Sequence, residues 1–184
     1  MTHRLCALAV IAALTIGLIG CATTARPVLV DYNASQNETT YRANSIRIPI
    51  EVRGSGYGSQ FNQLRMSLSA ECDGRECQPA TALMTLSTGG SSELYMGDRT
   101  LTIKADDEQF EWPDPRGNRE NQPEQVVGMV AQMSVSVDQL KAMATADALS
   151  GTIGSVTLDF SSRSQQRIRD YLVRMGVELS SAQT

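Results

Sequence analysis

The sequence predicts a β-rich α+β domain: one antiparallel sheet or sandwich with two helices in its C-terminal third, an all-β sandwich being the alternative. Three observations lead there. Apolar residues recur with a period of two through most of the chain, polar residues fill the alternate positions, and a helical period takes over only in two late segments. Clean alternation gives each strand one buried and one wet face, the pattern of antiparallel rather than doubly wound sheets.

The elements follow in order. Ile46, Ile48, Ile50 and Val52 alternate with Arg47, Pro49, Glu51 and Arg53, and Pro49 places this run at an edge or a strand end. Gly54-Ser55-Gly56-Tyr57-Gly58 reads as a hairpin loop, because it lacks the Lys-Ser/Thr of a phosphate loop and leads into another strand. Leu64, Met66, Leu68 and Ala70 then alternate with Arg65, Ser67, Ser69 and Glu71. A further strand spans Thr81 to Ser87. Segments 93–96 and 100–105 flank Gly97-Asp98, where Gly in first place suits a type II′ turn. Two more strands are expected at 125–135 and 149–160.

Both helices announce their starts. Ser136 with Gln139 fits a capping box, and Leu140, Met143 and Ala144 follow at helical spacing. Ser162 with Gln165 fits another. Ile168, Tyr171, Leu172 and Met175 then form one apolar stripe, and Gly176 supplies the stop.

Cys72 and Cys77 flank Asp73-Gly74-Arg75-Glu76, a polar run with turn chemistry. Facing cysteines at the base of a hairpin lie within disulfide reach, and closing so short a loop stabilises by about 2 kcal/mol in the chain-entropy model. Zinc would need more ligands than two thiols, and a redox pair would normally be C-x-x-C.

The first residues speak of export. Met1–Arg4 is a short basic stretch and Leu5–Ile19 an apolar run of fifteen residues. As a helix it would reach about 22 Å, short of a bilayer core of about 30 Å. The run ends in Leu18-Ile19-Gly20-Cys21, which resembles the lipobox of bacterial lipoproteins, with Ile19 where a smaller residue is more usual. The resemblance implies cleavage before Cys21, diacylglycerol on its sulfur and stable anchoring. Ala22 in place of an aspartate favours the periplasmic face of the outer membrane. The expected organisation is a signal peptide over 1–20, a lipidated polar tether over 21–45 with room for a brief edge strand at Val28-Leu29-Val30, one globular domain over 46–176 and a flexible tail over 177–184.

Composition narrows function. Without the signal, 15 basic and 20 acidic side chains remain, a net charge of −5, which offers nothing to nucleic acid. His3, the only histidine, leaves with the signal. No Ser-His or Cys-His nucleophile pair and no histidine-ligated metal site can then form. No metal or cofactor is expected. The most unusual stretch is 106–125, with seven acids and two bases, read as a long solvated loop pinned to the sheet by Phe110 and Trp112. Asp106, Asp107, Glu108, Trp112 and Asp114 are its candidate interaction residues. The acids do not follow the calcium-loop pattern. A carboxylate pair for glycoside hydrolysis cannot be recognised from spacing.

Residues 160–172 also resemble the helix-opening segment of peptidoglycan-binding OmpA-like domains, with Arg163, Ile168, Arg169, Asp170, Tyr171 and Leu172 in register. Ser164 stands where that family has a second arginine, and the family's upstream Thr-Asp pair is missing. The expectation is therefore a non-catalytic, lipid-anchored envelope module that scaffolds or binds an envelope protein partner. The alternatives are a small-ligand, cation or peptidoglycan-binding domain, or a carboxylate-dependent hydrolase.

Overall fold

A computed structural model of the chain describes residues 28–52, 63–88, 100–113 and 129–179, apart from the side chains of 44, 45 and 129. The expected Gly54–Gly58 hairpin loop and the Gly97-Asp98 turn with the 93–96 strand lie outside these residues.

The fold class is the expected one: a β-rich, antiparallel open sheet with two helices in the C-terminal third. Its first four strands are β1 (Val28–Asn33), β2 (Glu38–Val52), β3 (Gln63–Asp73) and β4 (Thr81–Ser87). After them come β5 (Leu101–Ala105), β6 (Glu108–Trp112) and β7 (Met129–Ser136). Helix α1 (Val137–Thr145) precedes β8 (Leu149–Ile153) and β9 (Val156–Asp159), and helix α2 (Ser162–Arg174) follows. The spatial order is β6-β5-β8-β9-β2-β3-β4-β7, and β1 also pairs with β2.

Strand β2 organises the sheet. Its register with β3 slips between Ala43 and Ile46, and such a bulge bends a strand and increases its twist. On the edge away from β3, β2 pairs first with β1, up to Val28 opposite Ala43, and later with β9, from Ile50 opposite Leu158. Among the described residues no strand lies along that edge between 44 and 49. The sheet is thereby notched at its middle.

The tether expected over 21–45 is shorter than its composition suggests, because 28–33 and 38–43 are paired strands. Thr39, Tyr41 and Ala43 are the inward residues, all buried. They alternate as a strand should, but two of them carry hydroxyls and the third is small, so the period does not stand out. Tyr41 Oη donates to the Cys77 carbonyl at 3.1 Å and Thr39 Oγ1 to the Gly74 carbonyl at 2.6 Å, which satisfies both hydroxyls.

Two further expectations are corrected. The strand expected over 149–160 is a hairpin, β8 and β9, with Ile153 opposite Val156 and Gly154 at φ 56° in the turn. The capping residue of α2 is Ser161 rather than Ser162: its hydroxyl accepts from the Ser164 amide. Gln165 is thus too far into the helix to return to the cap. It is buried instead, and its Nε2 donates to the Ala146 carbonyl at 2.8 Å, just past the end of α1. Arg169 Nε donates to the Ala144 carbonyl at 2.6 Å. The last turn of α1 has no basic residue of its own, so α2 supplies both the donors and the favourable positive charge there.

Other caps match their sequence signals. Ser136 and Gln139 make both bonds of the capping box. At the end of α2, Val177 N donates to the Leu172 carbonyl and Gly176 N to the Val173 carbonyl, with Gly176 at φ 75°, which is a complete Schellman motif. Val177 is itself buried, so the core extends past the expected boundary at 176.

The inward faces of β3, β4 and β5 and the stripe Ile168, Tyr171 and Leu172 of α2 form one apolar core with Leu140 and Met143 of α1. Each such fully buried side chain contributes about 1.5–3 kcal/mol by area. The Tyr171 hydroxyl is buried with no hydrogen-bond partner among the described residues, and burial pushes its pKa well above the ordinary phenol range. The sheet curls around this core. Although β6 and β7 end opposite sides of the strand order, Trp112 Nε1 on β6 donates to the Ser134 carbonyl on β7 at 3.2 Å. Helix α1 packs against β7 and also against β5, spanning the gap between the two ends.

Candidate functional site

The residues singled out by sequence fall in three places. Cys21 lies outside the described residues, as does Asp114. Cys72 and Cys77 are joined by a disulfide with Cα atoms 5.9 Å apart. Cys72 stands near the end of β3 and Cys77 beyond it, outside any strand. The loop they close rests on the β1–β2 hairpin: Gly74, at φ 93°, donates its amide to the Asn37 carbonyl, and the Arg75 guanidinium sits 4.7 Å from the Tyr32 ring centroid. This is a structural clasp.

The acidic stretch is not one long loop. Its first seven residues are the β5–β6 turn and β6 itself, with Ala105 opposite Glu108 and Asp106-Asp107 between them. Asp106 takes the left-handed φ of 52° that such turns need and that aspartate tolerates better than most residues. Its carboxylate accepts the amides of Asp147 and Ala148 at 3.2 and 2.8 Å, and its own amide donates to the Ala148 carbonyl. Asp106 therefore ties the turn to the start of β8. Asp107, Glu108 and Glu111 are exposed. Phe110 and Trp112 do pin this hairpin to the core, with ring centroids 6.3 Å apart. Among the described residues, no three acidic or cysteine side chains come together as a metal would require.

The notch in β2 holds a group of which the sequence singled out only Arg163, through the OmpA-like resemblance. Arg47, Arg65, Arg163 and Arg167 line a solvent-open cavity of about 470 Å³ together with Ile46 and Ser164. Two strands and a helix deliver them. Arg47 and Arg65 stand directly opposite each other in the β2–β3 register. Strand β9 ends at Asp159 and the chain turns at once into α2, which brings Arg163 and Arg167, one helical turn apart, to the same place.

Each placement runs against a local preference. Like charges directly opposite across strands destabilise a sheet, and like charges four apart destabilise a helix by a few tenths of a kcal/mol. A cation in the first turn opposes the helix dipole, and that turn of α2 carries no acid to offset it. Among the described residues, none of the four guanidiniums has an ion-pair or hydrogen-bond partner. Ser164 is buried, and its hydroxyl donates to the Ser161 carbonyl at 2.7 Å. What converges is concentrated positive charge with many planar donors. The chemistry suits an anion, since guanidinium forks fit carboxylate and phosphate oxygens.

The sequence did contain a signal, namely a helix opening Ser-Arg-Ser-Gln-Gln-Arg with bases where acids are favoured. The register that sets Arg47 against Arg65 was not readable without the structure. Compared with protein-family models, curated proteins and solved structures, the chain shows no match, so the site stands on its own geometry.

Proposed function

We propose that the protein is a lipid-anchored, non-catalytic module of the bacterial envelope that binds an anionic group in its four-arginine cavity. The observation that carries this reading is the convergence on one open pocket of four arginines, from β2, β3 and α2, that have no partner among the described residues. Each costs a little stability where it stands, and a shared anion would offset all of these costs at once. The anchor rests on the lipobox ending at Cys21, and Ala22 in place of an aspartate favours the periplasmic face of the outer membrane. The exposed acids of β6 remain available as a contact surface for an envelope protein partner.

Titration calorimetry of the purified chain with inorganic pyrophosphate tests the binding half. Wild-type protein should bind, and an Arg47→Gln/Arg163→Gln variant should bind at least about tenfold more weakly, since hydrogen bonds to charged groups contribute about 1.5–3 kcal/mol each. Equal heats from both proteins would remove the cavity from consideration. For the anchor, labelled palmitate should enter wild-type protein and not a Cys21→Ser variant.

A further inference from the structure

Resting on that reading, we infer that the cavity takes the phosphate of an anionic lipid headgroup belonging to the same membrane that holds the anchor. Three observations point there. The first is charge. A single carboxylate is satisfied by one bidentate arginine, whereas four guanidiniums match a group with several anionic oxygens, such as a phosphomonoester.

The second is position. Val28 pairs with Ala43, and Ile46 of the cavity lies three residues further along β2, about 10 Å away at the usual strand rise. Cys21 precedes Val28 by seven residues, a span of at most about 25 Å. The chain therefore enters the domain beside the notch. A lipid on Cys21 keeps the cavity within a short tether of the bilayer surface.

The third is openness. All four arginines are exposed, so the site grips a freely diffusing anion weakly. Tethering turns the second contact into an intramolecular event at millimolar or higher effective concentration, and modest affinity then suffices. Each basic residue near an anionic surface adds a comparable increment of attraction. The four together would turn the β2–α2 face of the domain toward the headgroups.

The test reads the cavity directly. The full chain is reconstituted in phosphatidylcholine vesicles with and without a minority of phosphatidic acid, and arginine modification by phenylglyoxal is mapped by mass spectrometry. Phosphatidic acid should slow modification of Arg47, Arg65, Arg163 and Arg167 by a factor of about 1 + [L]/Kd, several-fold once the lipid exceeds Kd. Arg42 and Arg174, which are exposed elsewhere, should react as before. In an Arg47→Gln/Arg163→Gln variant the protection of the remaining two should disappear. Uniform slowing of all arginines would mean diffuse surface attraction and would overturn the inference. Protection by inorganic pyrophosphate without protection by phosphatidic acid would keep the anion site and reject the lipid. Protection by a cell-wall peptide carboxylate alone would reject the lipid as well. Protection by neither phosphate source would remove both the lipid and the anion site.

Discussion

The acidic hairpin and the basic notch use charge in opposite ways. At the β5–β6 turn, Asp106 gives its carboxylate to two amides of the chain and its backbone to a conformation that few residues tolerate. In the notch, four arginines find no partner among the described residues. The first arrangement stabilises the fold, and the second weakens it slightly. Charge retained at a cost to folding is the better mark of function. By that criterion the notch carries a stronger mark than Asp106, whose charge serves the fold.

The comparison can be broken most forcefully by unseating α2, which carries half of the notch. Leu172 is fully buried beneath it, so Leu172→Asp should cost several kcal/mol by placing an unpaired charge in the core. A melting temperature within about 2 °C of wild type, which at this size is about 0.5–1 kcal/mol, would show that the stripe does not hold the helix.

Asp106→Ala comes next. It removes two hydrogen bonds and leaves a β-carbon at φ 52°, and should lower stability by about 2–3 kcal/mol without touching anion binding. Asp106→Asn tolerates the turn better and should fall between. Urea titration distinguishes these values, and an unchanged midpoint in the alanine variant would reduce Asp106 to an ordinary surface acid.

The smallest effects sharpen the contrast. Arg47→Gln/Arg163→Gln relieves one cross-strand and one i,i+4 repulsion and should leave stability unchanged or raise it by about 0.5 kcal/mol. Loss of about 1 kcal/mol or more in the absence of anions would give these arginines a structural role. Asp107→Asn/Glu108→Gln should stay within about ±0.5 kcal/mol, as exposed positions do. A rise in melting temperature with calcium in wild type alone would return the cation reading to the hairpin.

Much of the fold was legible because its strands alternate strongly apolar residues with polar ones. Leu64, Met66 and Leu68, or Ala82, Met84 and Leu86, all face the core from runs that show a period of two at sight. The first half of β2 was missed because its inward residues are weakly apolar. Thr39 is 1% exposed and sits in Glu-Thr-Thr-Tyr-Arg, a sequence that reads as tether. Strand β6 was hidden by its acids, although Phe110 and Trp112 alternate correctly within it. The candidate site was not legible, for a physical reason. Arg47 and Arg65 belong to it only because the bulge after Ala43 resets the register, and nothing short of the register distinguishes them from solvated strand arginines.

The hydrogen bond from Trp112 to Ser134 joins the two ends of the strand order, and Trp112 is the only tryptophan in the chain. The protein thus carries an intrinsic optical gauge of one seam. Its fluorescence reports whether β6 lies against β7, and it is silent about the notch across the sheet. Peeling at the seam should shift the emission to the red while far-ultraviolet dichroism holds steady, because the other strand pairings persist. Two probes with separate midpoints would show that the curled sheet opens at its edges before it unfolds, whereas coincident midpoints would show that closure and folding are one cooperative event.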